Sequence, residues 1–183
     1  RHSFPTRRSS DLAWLKAEGF NFVTMQELQD HWGRHPAKTV AITFDDGYLD
    51  NLENAFPILE KYQAKATIYV VVDRHDRDWS TYKKAHHNSG ELAREPKLND
   101  EQVKFLSNSG LIEIGSHTMT HANLAKLDDT ECLDELTQSK QSLESLIHRS
   151  VNSFAYPFGI YAARDVSLAQ QRSEERRVGK ECL

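Results

Sequence analysis

The sequence predicts an α/β fold in which parallel strands alternate with helices. Three short apolar runs rich in β-branched residues have the length and composition of buried strands: residues 39–44, 66–72 and 111–115. Segments with apolar residues at helical spacing separate these runs, and the longest of them is residues 128–148. Because strands that alternate with helices come to lie parallel in one sheet, we expect a sheet covered by helices.

Local signals support the same order of elements. Thr24 and Glu27 have the spacing of a helix capping box. Pro57 lies inside the helical pattern of residues 49–59, so the helix there should kink or restart. Residues 151–155 are predicted to form the last strand.

Composition excludes several classes of protein. The chain has 183 residues, 38% of them hydrophobic, which suits one domain of ordinary size. It has no apolar run of the roughly 18 residues needed to span a bilayer. Its formal net charge of −4 argues against a general nucleic-acid binder. With 2 Cys, it is neither a disulfide scaffold nor a multi-thiolate zinc protein.

The two ends differ from the rest of the chain. Residues 1–12 and 172–183 are basic and lack any apolar period. A single DNA string, read on opposite strands, encodes most of both ends and looks like a short-read sequencing adapter. We therefore predict that both ends are adapter-like artefacts around a partial catalytic domain, residues 13–171. A signal peptide upstream of this fragment is left open.

Three polar motifs follow predicted strands. Asp45 and Asp46 come directly after the first strand, His117 and His121 follow the third, and residues 156–159 follow the last. The carboxyl ends of parallel strands lie on one side of a sheet, where catalytic groups gather. We therefore expect these motifs to meet.

The residue types in these motifs indicate a metal site. His117 and His121 are four positions apart, so a helical turn would put both rings on one face. One carboxylate of Asp45 or Asp46 would complete a set of two imidazoles and one carboxylate, which leaves coordination positions open. Zinc is the simplest choice of metal, and it would lower the pKa of its water toward about 7. The other aspartate could be the general base.

Each motif also has a purely structural interpretation. His-x-x-x-His alone is a weak signal, and Asp-Asp-Gly after a strand is often a turn with a helix cap. Tyr-Pro-Phe-Gly can be only a turn. Their joint occurrence at three strand ends favours the metal site.

The three motifs resemble those of the polysaccharide deacetylases, also called NodB homology or carbohydrate esterase family 4 proteins. The matching stretches are residues 43–47 (TFDDG), 116–121 (SHTMTH) and 154–159 (FAYPFG), in this order. Gly-Tyr after the aspartates and the third stretch are most similar to the branch that acts on poly-N-acetylglucosamine. The resemblance implies an α/β fold of a particular kind, a truncated and distorted (β/α) barrel.

The resemblance also implies a role for each residue of the first two motifs. Asp45 would be the general base, and Asp46, His117 and His121 would bind a divalent metal, with Zn²⁺ expected. Thr118 would brace the histidine loop by hydrogen bonding.

The third motif would form part of the substrate site. The resemblance implies that Tyr156, Pro157 and Phe158 contact substrate. The backbone N–H of Phe158 would also hold the oxyanion, an interaction worth several kcal/mol in acyl transfer. The implied reaction removes N-acetyl groups as acetate from an N-acetylglucosamine-containing glycan. The implied location is the cell envelope or outside the cell.

Two departures from the family pattern affect the expected activity. Many members have an Arg shortly before the Pro of the third motif, where this chain has Ala155 and Tyr156. The later motif that supplies a general-acid His is absent from this chain. We therefore expect weak or transient metal binding and little deacetylase activity in this fragment, and an active intact parent.

Other functions remain open from the sequence. A related metal hydrolase could act on a cyclic imide or on acetylated xylan. A catalytically silent glycan-binding module is a second possibility, although the complete set of aspartates and histidines argues against it. Phosphoryl transfer at Asp45 would leave the histidine pair without a role.

Overall fold

The described strands form a two-stranded and a three-stranded parallel sheet covered by helices, which confirms the α/β prediction. The computed structural model describes residues 4–75, 77 and 95–172. The strands are β1 Asn21–Val23, β2 Thr39–Ala41, β3 Thr43–Phe44, β4 Ala66–Val70 and β5 Ile112–Ser116. The α-helices are α1 Phe4–Ala17, α2 Met25–Asp30, α3 Phe56–Tyr62, α4 Asp100–Asn108, α5 Asp129–Ile147 and α6 Ala163–Arg172. Short 3₁₀ segments are Leu124–Lys126 and Pro157–Gly159.

The first predicted strand divides between two neighbours. Its first half, β2, pairs with β1, and its second half, β3, pairs with β4, in both cases parallel. Between them the carbonyl of Ile42 accepts a hydrogen bond of 2.9 Å from the Thr67 N–H of β4. β4 pairs in turn with β5, also parallel. The strand that ends in Asp45 and Asp46 is therefore held from both sides.

The prediction of a strand over residues 151–155 is wrong in extent. Only Phe154 pairs with the sheet, through a parallel bridge to Ser116. Val151 is buried, but its N–H donates to Glu144 Oε1 at 2.9 Å and its carbonyl accepts from Lys140 Nζ at 3.0 Å. Because these groups of α5 take the backbone bonds of Val151, that residue contributes none to a sheet ladder.

Helix boundaries follow the predicted signals. Thr24 and Glu27 form the reciprocal capping box of α2. Pro57 lies in the first turn of α3, where its missing N–H costs nothing. The preceding turn, Asn51–Ala55, is π-helical. The predicted break at Pro57 is thus a change of helix type followed by a restart.

Two apolar clusters form the core. The larger lies between the sheet and the helices that cover it, and includes Leu59, Ile68, Leu106 and Leu143. The smaller lies beneath α5 and α6; its buried members are Leu124, Cys132, Leu136, Leu168 and Ala169. The two clusters fix α5 against the sheet on one side and against α6 on the other.

The predicted boundaries between the two terminal segments and the partial catalytic domain fall within helices. α1 crosses from residue 12 to residue 13, and Leu12 is buried in the larger cluster. α6 ends at Arg172, and residues 173–183 lie outside the described residues, as do residue 76 and residues 78–94. No helix within the described ranges combines the length and apolarity needed to cross a bilayer. The adapter-like origin of the two ends stays a prediction.

Replacing Gly115 with alanine should destabilise the sheet. A Cβ at this position would lie 2.4 Å from Cδ1 of Tyr69 and 2.7 Å from Oγ of Ser153. Because Tyr69 is itself buried in β4, its ring cannot move away freely. We expect the free energy of unfolding to fall by about 1–3 kcal/mol, measured by urea denaturation. An unchanged midpoint would contradict this packing; the exposed helix substitution Gln138→Ala should shift stability by less than about 0.5 kcal/mol.

Candidate metal centre

The carboxyl ends of β3 and β5 bring the first two motifs together, as the sequence predicted. Asp45 and Asp46 follow β3 directly, and His117 follows β5 directly. In the part of the chain that the structure describes, one group of side chains could hold a metal ion: Asp46, His117 and His121. One ligand atom from each of the three lies within 4.8 Å of the others. Asp45 is outside this group, so the structure chooses between the two aspartates.

Asp46 faces both imidazoles with the same oxygen. Its Oδ1 lies 3.4 Å from Nε2 of His117 and 3.2 Å from Nε2 of His121. That oxygen is buried and accepts no well-formed hydrogen bond from any described residue. Burial alone would raise the pKa of Asp46, but the two neighbouring imidazoles outweigh it and hold the pKa well below its usual range. Asp46 is therefore a carboxylate, the form that binds cations.

The hydrogen bond of His117 fixes which nitrogen is available as a ligand. Its Nδ1 lies 2.9 Å from the carbonyl oxygen of Ala155. Because a carbonyl only accepts, Nδ1 carries the hydrogen, and Nε2 presents its lone pair toward Asp46 when the ring is neutral. Burial lowers the pKa of His117, but the facing carboxylates of Asp46 and Asp45 outweigh that effect and raise it. A cation held by these atoms would take the place of the proton.

The histidine loop is not helical, so the helical turn expected between His117 and His121 is wrong. Residues 117–121 have no helical hydrogen bonding, and Thr118 and His121 have φ of 70° and 60°. These two left-handed residues bend the loop back on itself. The two rings meet edge to face with centroids 4.9 Å apart. The two histidine rings therefore meet because the loop backbone turns back on itself, and not because the segment is helical.

Left-handed backbone is concentrated at this site. Six described residues other than glycine have positive φ: Asp46, Gln63, Thr118, His121, His148 and Phe158. Two of the six, Gln63 and His148, are ordinary helix C-caps. The other four all belong to the three polar motifs. Each such conformation costs on the order of 1–3 kcal/mol, which surrounding contacts must offset, and this clustering is typical of functional sites.

Thr118 does not brace the loop as expected. Its hydroxyl is buried and has no hydrogen-bond partner among the described residues. Its backbone carbonyl instead accepts from the N–H of Val72 at 3.3 Å. The side chain that does hold the loop is Glu135 of α5. Sequence reasoning missed it, because no local motif links residues 15 and 16 positions apart.

Asp45 lies at the open side of the centre. The residue is exposed, and its carboxylate is not a ligand atom of the group. Loss of hydration on its protein-facing side raises the pKa of Asp45, the charge of Asp46 adds to this, and the imidazoles of His117 and His121 oppose it. A raised carboxyl pKa favours proton acceptance near neutral pH.

The three predicted substrate residues of the third motif differ in exposure: Phe158 is exposed, Tyr156 is half-buried and Pro157 is buried. Phe158 is exposed, and its ring packs edge to face on His121 with centroids 4.5 Å apart. The two turn hydrogen bonds of this loop are donated by Gly159 and Ile160, so neither uses the Phe158 amide. Phe158 has a φ of 62°, so its backbone departs from the 3₁₀ conformation of this segment.

Tyr156 and Pro157 make packing contacts, and their expected contact with substrate stays a prediction. Pro157 is buried, and the ring of Tyr156 packs on the smaller core cluster. The Tyr156 hydroxyl is buried beneath α6. Burial, with the nearby charge of Asp165, raises its pKa to about 12.

The geometry suits a divalent cation. Three ligand atoms of the types that first-row metals prefer converge in a mostly buried place, and one of them is a buried carboxylate oxygen without a hydrogen bond. The same strand ends, motifs and ligand types were expected from the resemblance. Comparison with known proteins decides the family, since the polysaccharide deacetylase family model matches residues 33–173. The chain belongs to the polysaccharide deacetylase family.

Individual relatives agree with this assignment. A Bacillus subtilis protein named as a polysaccharide deacetylase, YxkH, is 31% identical over 173 residues, covering 93% of this chain and 56% of the relative. The poly-beta-1,6-N-acetyl-D-glucosamine N-deacetylase of Staphylococcus aureus is 27% identical, covering 82% of this chain and 51% of the relative. The chain thus spans about half the length of these relatives.

A solved structure supports the deacetylase fold. The Streptococcus pyogenes deacetylase PplD, solved in complex with acetate, superposes with a TM-score of 0.74 at 25% identity. The match covers 90% of this chain and 67% of that one. The strands and helices of this polysaccharide deacetylase chain therefore form the NodB type of α/β architecture.

Proposed function

We propose that this chain binds a zinc ion through Asp46, His117 and His121 and hydrolyses N-acetyl groups of an N-acetylglucosamine-containing polysaccharide. The observation that carries the proposal is the convergence of one buried carboxylate oxygen on two imidazole nitrogens, at 3.2 and 3.4 Å. This set of ligands is one that zinc uses in hydrolases, with positions left open for water and substrate.

The metal would supply Lewis acidity toward water and the acetyl carbonyl. The remaining chemistry belongs to the chain. Asp45, next to the ligands but not one of them, takes the proton from the attacking water. The Phe158 amide donates to the oxygen on which negative charge develops. The ring of Phe158 packs against His121 and limits the positions that this ligand can adopt.

The departing amine requires a proton as well. Among the described residues we assign no group to this step, because the family resemblance places the general-acid His in a motif that we do not identify in this chain. Loss of a general acid typically lowers the rate by about 10²–10⁴-fold. Slow but metal-dependent hydrolysis is therefore the proposed behaviour of the 183-residue chain.

The proposed glycan is a polymer of N-acetylglucosamine. Support comes from the Staphylococcus aureus relative, whose name specifies poly-beta-1,6-N-acetyl-D-glucosamine. An exported or envelope location is proposed on the same ground, since such polymers lie outside the cytoplasm. The open side of the centre, with exposed Asp45 and Phe158, allows a chain of sugars to approach.

Release of acetate from N-acetylglucosamine oligomers tests the proposal. The chain, first freed of metal with a chelator, should release acetate slowly when zinc is restored and not before. Acetate can be measured with a coupled enzymatic assay over long incubations. A matched oligomer of glucose, which carries no acetyl group, gives the background.

Two outcomes would contradict the proposal. Acetate release that is equal with and without zinc would exclude the metal centre as its origin. Release from acetylated xylan with none from N-acetylglucosamine oligomers would replace the amide substrate with an ester. Fast turnover would instead refute the expected need for an additional acid, while leaving the metal centre and substrate supported.

A further inference from the structure

We propose that Glu135 is a positioning residue that holds the metal-binding loop in its ligand geometry; this inference rests on the proposed metal centre. Its carboxylate makes three hydrogen bonds to the residues between the two histidines. Oε2 accepts from the N–H groups of Met119 and Thr120, both at 2.9 Å. Oε1 accepts from the Thr120 hydroxyl at 2.6 Å. The contact is therefore with the loop itself and with neither histidine.

The other side of the loop bonds the backbone that follows β4. The carbonyl of Thr118 accepts from Val72 at 3.3 Å, and the carbonyl of Met119 accepts from Asp73 at 2.8 Å. These bonds use the loop's carbonyl groups. On the opposite side, Glu135 accepts hydrogen bonds from the loop's N–H groups. The loop is therefore held between the end of β4 and α5.

Backbone strain explains why the loop needs this support. Thr118 and His121 have left-handed φ values, and a β-branched threonine is particularly unfavourable there. The conformation persists only where surrounding contacts determine it. A carboxylate that accepts from two successive N–H groups makes charge-assisted bonds, which are stronger than neutral ones. Glu135 is thus the main side-chain contact that opposes relaxation of the loop.

The position of Glu135 is itself fixed. Its neighbour Leu136 is fully buried in the smaller core cluster. Ser139, one turn further along α5, is also buried and bonds Ser116 at the end of β5 at 2.8 Å. Because α5 is bonded to the strand that leads into His117, Glu135 holds the loop at a fixed position relative to His117.

Metal affinity measured on three variants tests this role. Glu135→Ala removes all three bonds, and we expect zinc affinity to fall about 10–100-fold, the range seen for outer-shell partners of metal ligands. Glu135→Gln keeps an amide oxygen that can accept from both N–H groups, so it should recover most of the affinity. Asp134→Asn changes the same charge at an exposed neighbouring position and should bind as the wild type does.

The readouts separate positioning from general stability. Zinc affinity is measured by competition with a chromophoric chelator, and Co²⁺ absorption in the visible range reports ligand geometry. Glu135→Ala should show weakened and broadened Co²⁺ bands while its far-ultraviolet circular dichroism is unchanged. Hydrogen exchange of the Met119 and Thr120 amides should be faster in the metal-free variant than in wild type.

Wild-type metal affinity and an unchanged Co²⁺ spectrum in folded Glu135→Ala would overturn the inference. If this variant fails to fold, Glu135→Asp decides through the same measurements, because its shorter side chain holds the loop less well: lowered affinity and faster amide exchange support positioning, and wild-type values refute it. A wild-type chain that binds no metal would refute the proposed function instead. In that case unaltered amide exchange in Glu135→Ala would refute the role of Glu135 separately.

Discussion

Asp46→Asn should abolish zinc binding and reduce acetate release to background. Asparagine has nearly the same shape as aspartate and tolerates a left-handed backbone, so the φ of 72° at this position can be kept. The substitution removes the charge that both imidazoles face at 3.2 and 3.4 Å. We expect zinc affinity to fall by more than about 100-fold, beyond the range for outer-shell partners.

Isothermal titration with zinc, starting from metal-free protein, measures this loss. Asp134→Asn provides the control, since it removes one aspartate charge at an exposed position of α5. The control should bind one zinc ion as the wild type does. A single site of unchanged affinity in Asp46→Asn would show that the metal is held elsewhere and would refute the ligand set.

The parallel sheet and the ligand set could be predicted because both depend on local sequence. Runs such as residues 39–44 and 66–72 are too short and too rich in β-branched residues for helices, and the described strands β2 to β4 fall within them. Parallel strands place their carboxyl ends together, and this rule alone brings Asp46 near His117. The choice between Asp45 and Asp46 needed either the family resemblance or coordinates.

The parts that could not be predicted depend on non-local competition for backbone groups. Residues 151–155 have strand composition, but Lys140 and Glu144 of α5 take the backbone bonds of Val151. Glu135 contacts the histidine loop across a separation that no periodicity reveals. The left-handed residues of the loop are not glycines, so the usual sequence signal for such a backbone is missing. These exceptions gather at the metal centre, where local preference and function conflict.

Packing also determines which aromatic rings of the third motif are exposed. Within this motif, Tyr156 stacks on Tyr161 with centroids 4.8 Å apart and packs on the smaller core cluster. Phe158 is the exposed ring of the motif, and it packs on His121 of the candidate metal centre.

Asp45→Asn should leave the metal in place and remove most of the hydrolysis. The Asp45 side chain is not among the three converging ligands, so the coordination set is intact in the variant. A lost general base typically lowers the rate by about 10²–10⁴-fold. Zinc affinity should fall much less than in Asp46→Asn, because Asp45 contributes only its charge and no ligand atom to the group. The separation of the two effects distinguishes a base from a ligand.

Acetate release and zinc affinity, measured on the same preparation of Asp45→Asn, decide between these roles. Asp46→Asn serves as the matched variant, because it makes the same chemical change at the adjacent residue and should lose metal and activity together. Equal losses of affinity in the two variants would make Asp45 a ligand. Undiminished acetate release in Asp45→Asn would exclude it as the base, and the proton of the attacking water would then need another acceptor. The pKa of Asp45, raised first by its lost hydration, suits the role of a base, since a carboxylate of higher pKa holds a transferred proton more firmly.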